Sequence, residues 1–154
     1  MSMSDSLAEL TRRIHDAGRR GVIVVTGGGS GAIARLVGTP GASRTVLEAL
    51  VPYSSAALVE FLRGKPEGFC NAATARSMAM AAYRRACRLW EVEGAPGAPN
   101  GEEPPALFGL GMTASLASYR PKRGAHRIHL AAQTAERTWS RSIELLKDLR
   151  TREV

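Results

Sequence analysis

The segment 25–43, VTGGGSGAIARLVGTPGAS, constrains the fold more than any other part of the chain. It starts where the apolar run Val22, Ile23, Val24, Val25 ends, a run too short and too β-branched for a helix. Three consecutive glycines, Gly27, Gly28 and Gly29, follow and lead into a short helix stopped by Pro40-Gly41. Glycine reaches positive φ without a steric cost, so the turn can bring bare backbone N–H groups close to a ligand. Those groups lie at a helix start, where the dipole favours negative charge. A strand, a glycine turn and a helix in this order predict an α/β domain with a site for a phosphate or carboxylate.

At 154 residues the chain fits a single domain, 1–154, able to bury a sizeable core. No apolar stretch is long enough to span a bilayer, and the start MSMSDSLAEL lacks a basic region followed by an apolar one. The expectation is a cytoplasmic protein that makes no use of a membrane. Cys70 and Cys87 form no C-x-x-C pair, so buried thiols are expected rather than a disulfide or zinc site. Lys and Arg number 21 against 14 Asp and Glu. Part of that excess falls where cations suit helix ends: Arg12, Arg13, Arg19 and Arg20 late in a first helix, and Arg84, Arg85 and Arg88 in a later one. With few aromatics to interleave, a nucleic-acid partner is not expected. A small anionic partner fits better.

Helices and strands alternate along the chain. Ser4 is placed to cap a helix over 5–17 carrying Leu7, Leu10 and Ile14, and a strand follows at 22–26. A short helix at 32–37 and a strand at 46–52 come next, then a Ser-capped helix over 54–62. Asn71 caps the clearest helix, 72–90. Residues 93–105, with Pro96, Pro99, Pro104 and Pro105, read as an exposed loop. Strands at 106–113 and 127–133 precede a closing helix over 135–150, based on the spacing of Trp139, Ile143, Leu146 and Leu149. The order predicts a three-layer α/β/α sandwich with a mostly parallel sheet.

Three phosphate or nucleophile motifs can be tested on the glycine turn. A Walker A loop needs a Lys that Ser30-Gly31 does not offer, and a G-x-S-x-G elbow needs glycine at Ala32. Gly27-x-Gly29-x-x-Ala32 satisfies the permissive dinucleotide fingerprint, but its acidic partner, Glu48, falls inside a predicted strand. A short-chain dehydrogenase also needs Tyr-x-x-x-Lys, and Tyr53, Tyr83 and Tyr119 are followed at that spacing by Ala57, Cys87 and Arg123. A Rossmann-type dinucleotide binder is the weakest reading.

The PGAS turn at 40–43 anchors a more extensive match. Counting back from it, Val25 through Leu36 fall on E-S-C-T-G-G-x-x-A-x-R-L, with Gly29, Arg35 and Leu36 matching. Tyr53-Ser54 and Ala57 match Y-S-N-E-A-K, 74–82 matches V-A-x-x-M-A-x-G, and Thr113 falls on the threonine of V-T-G-I-A-G-P. From about Leu7 to Leu146 the chain resembles the C-terminal domain of the competence/damage-inducible protein CinA family, which includes nicotinamide mononucleotide amidohydrolases. The resemblance implies a CinA-like fold, a homo-oligomer, and a ligand-contacting role for Tyr53 and Thr113. It also implies a Ser nucleophile activated by the Lys of Y-S-N-E-A-K. Those positions are Thr26 and Leu58 here, while the Glu is Val25 and the Gly after the second threonine is Ala114. Leucine cannot accept a proton, and Lys65 lies out of register.

What survives the departures is an anion site. Its expected members are Gly27, Gly28, Gly29 and Ser30 at the turn, Tyr53, Thr113, and the cations Arg120, Lys122 and Arg123 of a defined basic turn. The expected partner is a phosphorylated small molecule or nucleotide, held with weak or no amide hydrolysis. The alternative is an active amidohydrolase using Thr26, or a water held by Thr26 and Thr113. No cofactor is implied. No metal is implied either: His126 and His129, three apart on a strand, point to opposite faces. His15 is expected on the polar side of the first helix, and Met78, Met80 and Cys87 in packing.

Overall fold

The computed structural model describes residues 2–93, 105–120 and 123–146. The expected loop at 93–105 therefore lies almost wholly outside the described residues, as do Lys122 and Leu149. Helix α1 (Met3–His15) starts slightly earlier than expected and is capped by Ser2 rather than Ser4. Ser2 Oγ accepts from Asp5 N and the Asp5 carboxylate accepts from Ser2 N, a reciprocal capping box. Strand β1 (Arg19–Thr26) leads through the glycine turn into α2 (Ser30–Gly38). A 3-10 turn (Ala42–Arg44) and β2 (Val46–Leu50) follow, then α3 (Ser55–Leu62), capped by Ser54 Oγ accepting from Ala57 N. Helix α4 (Ala72–Val92) is capped by Asn71, as its sequence predicts. Strands β3 (Ala106–Ser115), β4 (His126–Gln133) and β5 (Thr138–Leu145) complete one sheet in the order β2-β1-β3-β4-β5.

The α/β architecture is the expected one, with the neighbouring strands β2, β1 and β3 parallel. Strand β4 runs antiparallel to β3, and β5 antiparallel to β4. The closing helix over 135–150 is thus corrected: residues 138–145 are the edge strand β5. Trp139, Ile143 and Leu146 fit a helical spacing, but Trp139, Ile143 and Leu145 also alternate with Thr138, Ser140, Ser142 and Glu144. The preceding turn decides between the two periods. Thr134 Oγ1 accepts from the backbone N–H groups of Glu136 and Arg137, and Thr134 N donates to Arg137 O, which closes a hairpin before a helix can start.

Small residues set the distance between α4 and the sheet. Ala75, Ala79, Ala82 and Ala86 form one fully buried stripe on α4. They face Gly109 and Gly111 of β3, where a Cβ would lie 2.1 Å from Tyr83 N and 2.5 Å from Ala75 O respectively. Val22 and Val24 on the same face pack with Leu58 of α3 and Met78 of α4 into the main core. On the opposite face Ile23 and Val25 are buried, and the start of α2 lies against Val25 and Met112.

Two expectations about α1 and β1 change. His15 is buried rather than polar-facing, bridging Leu36 O at 3.0 Å and Thr45 Oγ1 at 2.9 Å. A carbonyl only accepts, so Nε2 carries the proton there, and in the neutral ring Nδ1 accepts from Thr45. Arg19 and Arg20 open β1 instead of ending α1, and Arg20 stacks 5.1 Å over the Trp90 ring. Cys70 and Cys87 are half-buried and in no disulfide.

Glu48 of β2 and Arg85 of α4 form a two-bond ion pair, at 2.7 and 2.9 Å. Hydrogen bonding from Arg85 holds the Glu48 carboxyl below its usual value of 4.5. The pair therefore adds stability above that value and loses it as pH falls through the lowered one. Glu48→Gln is expected to cost less than about 1 kcal/mol at neutral pH, as for partly exposed pairs. In urea titrations, its difference from wild type should shrink as the pH drops below 4.5.

Candidate functional site

Thr26, the last residue of β1, and Thr113, near the end of β3, are direct register partners on parallel neighbours. They share parity with Gly109 and Gly111, so both side chains project from the face that α4 covers. A pocket of about 260 Å³ opens there, at the C-terminal ends of the parallel strands. Thr26, Gly27, Tyr53 and Thr113 all line it. These expected residues, drawn from three separate stretches of sequence, come together at one edge of the sheet.

The glycine turn is held by what it packs against. Gly27 has φ +76°, and a Cβ there would sit 1.9 Å from Ala114 O. Gly29, at φ +86°, caps α2 without a side chain, and its own Cβ would meet Met112 Cε at 2.2 Å. The first N–H groups of α2, those of Ser30 and Gly31, have no intrahelical acceptor. Gly28, Gly29 and Ser30 do not line the pocket. Nor do Arg120 and Arg123, which are exposed in the connection after β3. That connection does leave from beside the turn, because Leu116 Cδ1 lies 2.6 Å from where a Gly28 Cβ would be.

The segment before α4 supplies residues that the sequence did not mark as a site. Phe69 and Cys70 line the pocket, with Ser54, Ser55, Ala114 and Ser115. Thr113 Oγ1 donates to Phe69 O at 2.5 Å, which fastens this segment to the end of β3, and Thr74 Oγ1 donates to Gly68 O, which ties it to the first turn of α4. The legible signal was the Asn71 cap: a helix that starts at the ligand edge of a sheet brings its preceding residues there.

The chemistry available is narrow. Thr26 Oγ1 has no hydrogen-bond partner among the described residues, whereas the Thr113 proton is committed to Phe69 O. Leu58, at the position where the resemblance puts the activating lysine, is 2% exposed and lines the pocket with its apolar side chain. None of the lining residues is His, Lys, Asp or Glu. The walls carry hydroxyls and the Cys70 thiol, but no amine, imidazole or carboxylate to activate a nucleophile. Among the described residues, no three His, Cys, Asp or Glu side chains are grouped for a metal, and no helix is long and apolar enough to cross a membrane.

No family model matches the chain, and no curated protein does. Solved structures do. A competence-damaged protein (CinA) superfamily protein from Escherichia coli superposes with a TM-score of 0.68 at 12% identity, over 96% of this chain and 82% of that one. A competence or damage-inducible protein from Enterobacter asburiae gives 0.65 at 16% identity, over 92% and 85%. A competence/damage-inducible protein from Agrobacterium tumefaciens gives 0.60 at 22% identity, over 88% and 79%. Nearly the full length of this chain has the fold of the CinA superfamily.

Proposed function

We propose that the chain is a CinA-like binding domain for a phosphorylated small molecule, of the pyridine-nucleotide class, with weak or no amidohydrolase activity. One observation supports this reading: the pocket is lined by hydroxyls and by Gly27 of the glycine turn, yet buried Leu58 stands where the resemblance puts the general base. In this reading the phosphate lies against Gly27–Ser30, with Arg120, Lys122 or Arg123 reaching it from the adjoining connection. Tyr53 and Thr113 contact the rest of the ligand. Self-association belongs to the same proposal, because Leu10 and Ile14 on α1 and Trp139 on β5 leave apolar surface exposed. A dinucleotide site is less well supported. Glu48, the acid it needs for a ribose, is already paired with Arg85.

The second reading, an active enzyme, rests on the Thr26 hydroxyl, which has no hydrogen-bond partner among the described residues, in a residue that lines the pocket. Nicotinamide mononucleotide separates the two. Binding should raise the melting temperature, by an amount set by about 2.7 kcal/mol at a hundred times the dissociation constant, while ammonia release stays at background. Arg123→Ala should weaken binding, and the loss should shrink from 50 to 300 mM salt as screening shortens to below about 10 Å. Turnover abolished by Thr26→Val would establish the enzyme instead. An affinity indifferent to both salt and Arg123→Ala would remove the basic turn from the site.

A further inference from the structure

A second pocket, of about 360 Å³, opens between α3 and the C-terminal half of α4, beside the edge strand β2. It shares no lining residue with the pocket around Thr26. Arg63, Arg84, Arg85 and Arg88 all line it. Arg85 is committed to Glu48. Among the described residues, Arg63, Arg84 and Arg88 have no ion-pair or hydrogen-bond partner for their side chains. A single further carboxylate, Glu60, lines the same pocket and pairs with none of them. The uncommitted charge is three cations against one anion.

Two features of these arginines run against local stability. Arg84 and Arg88 are four apart on one helix, which sets like charges side by side at a cost of some tenths of a kcal/mol. Arg63 ends α3 with φ 58°, the one non-glycine residue at positive φ among those described. An L-residue in that conformation costs roughly 1 kcal/mol, and glycine is the usual occupant of such a helix end. Both features put a guanidinium onto one cavity, the pattern of a site that trades stability for binding. Leu50, Phe61 and Leu62 give the cavity an apolar wall.

We propose that this pocket binds a small organic oligoanion, with two or more clustered negative charges on a flat apolar body. The planar forks of Arg63, Arg84 and Arg88 take phosphate or carboxylate oxygens in pairs, and the body lies against Phe61 and Leu62. The three side chains are exposed, so water meets their charge until a ligand displaces it. The site is separate from the glycine turn and does not depend on what binds there.

Calorimetric titration with 1-naphthyl phosphate and with benzene-1,3,5-tricarboxylate, at fixed ionic strength, tests the proposal and tells the two anion sources apart. At least one probe should bind saturably to wild type, and Arg84→Gln/Arg88→Gln should weaken it tenfold or more. Arg63→Gly should weaken it at least fivefold while leaving the melting temperature unchanged or higher, which a merely structural arginine would not do. Thr26→Val, in the other pocket, and Arg123→Ala, in the connection after β3, should leave this affinity unchanged. Failure of both probes to saturate, an affinity untouched by the Arg84/Arg88 double variant, or equal losses in the Thr26 variant would each overturn it.

Discussion

Gly109→Ala is expected to destabilise the protein by about 2–3 kcal/mol, although the change adds a single methyl group. The new Cβ would lie 2.1 Å from Tyr83 N and 2.3 Å from Ala79 O, both backbone atoms of α4. A side chain could swing aside, but here the helix must lift. Lifting it opens gaps along the stripe of Ala75, Ala79, Ala82 and Ala86, all fully buried. Overpacking of a tight core costs typically about 1–3 kcal/mol, and this site belongs at the upper end. The opposing gain, a less flexible unfolded chain, is only about 0.4–1 kcal/mol. Gly31→Ala provides the control: nothing lies within 4 Å of its Cβ, and it sits in α2. That variant should be stabilised by about 0.4–1 kcal/mol. Urea denaturation of both separates close approach from glycine flexibility. Equal and small effects would mean that α4 does not rest on the β3 backbone.

The same close approach explains how the site forms and why only part of it was legible in the sequence. The glycine turn and the Ser54 and Asn71 caps are local signals, and each is found where the residues indicate. The pairing of Thr26 with Thr113 is not local. It depends on β3 adding beside β1 after β2, α3 and α4 have intervened. The close fit of β3 under α4 rests on two glycines meeting a stripe of alanines, and no local pattern in either segment marks the other as its partner. Phe69 and Cys70 enter the pocket through the Thr113 hydroxyl, a contact between residues 44 apart. His15 looked polar by its chemistry and is buried because Leu36 and Thr45 satisfy both ring nitrogens. The closing segment failed for another reason. Its apolar residues fit both the strand and the helix period, and a hydroxyl-braced turn at Thr134 settled the outcome.

Leu58→Lys, combined with Thr26→Ser, is expected to fail as a restoration of amide hydrolysis and to lower stability sharply. Leu58 is 2% exposed and packs in the core with Val22, Val24 and Met78. An ammonium there loses its hydration without a carboxylate nearby, since no Asp or Glu lines the adjoining pocket. Burial favours the neutral amine, so the folded-state pKa falls below the unfolded value of about 10.4. A fall to about 7.4 costs about 4 kcal/mol at pH 7. Between the two pKa values the unfolded state holds the extra proton, so stability rises with pH across that window. The penalty should therefore be full at and below neutral pH and shrink towards pH 10, whereas wild type should show no such recovery. A neutral lysine beside the introduced serine hydroxyl would be a competent base in principle. It must also be held within about 3 Å of that hydroxyl, and the buried neighbours Val22, Val24 and Met78 are shaped to a leucine and do not hold an amine in place. Ammonia release from nicotinamide mononucleotide should accordingly remain at background in the double variant from pH 7 to 9. Turnover that rises with a pKa in that range would show that the pocket still holds the catalytic geometry and lacks only its base.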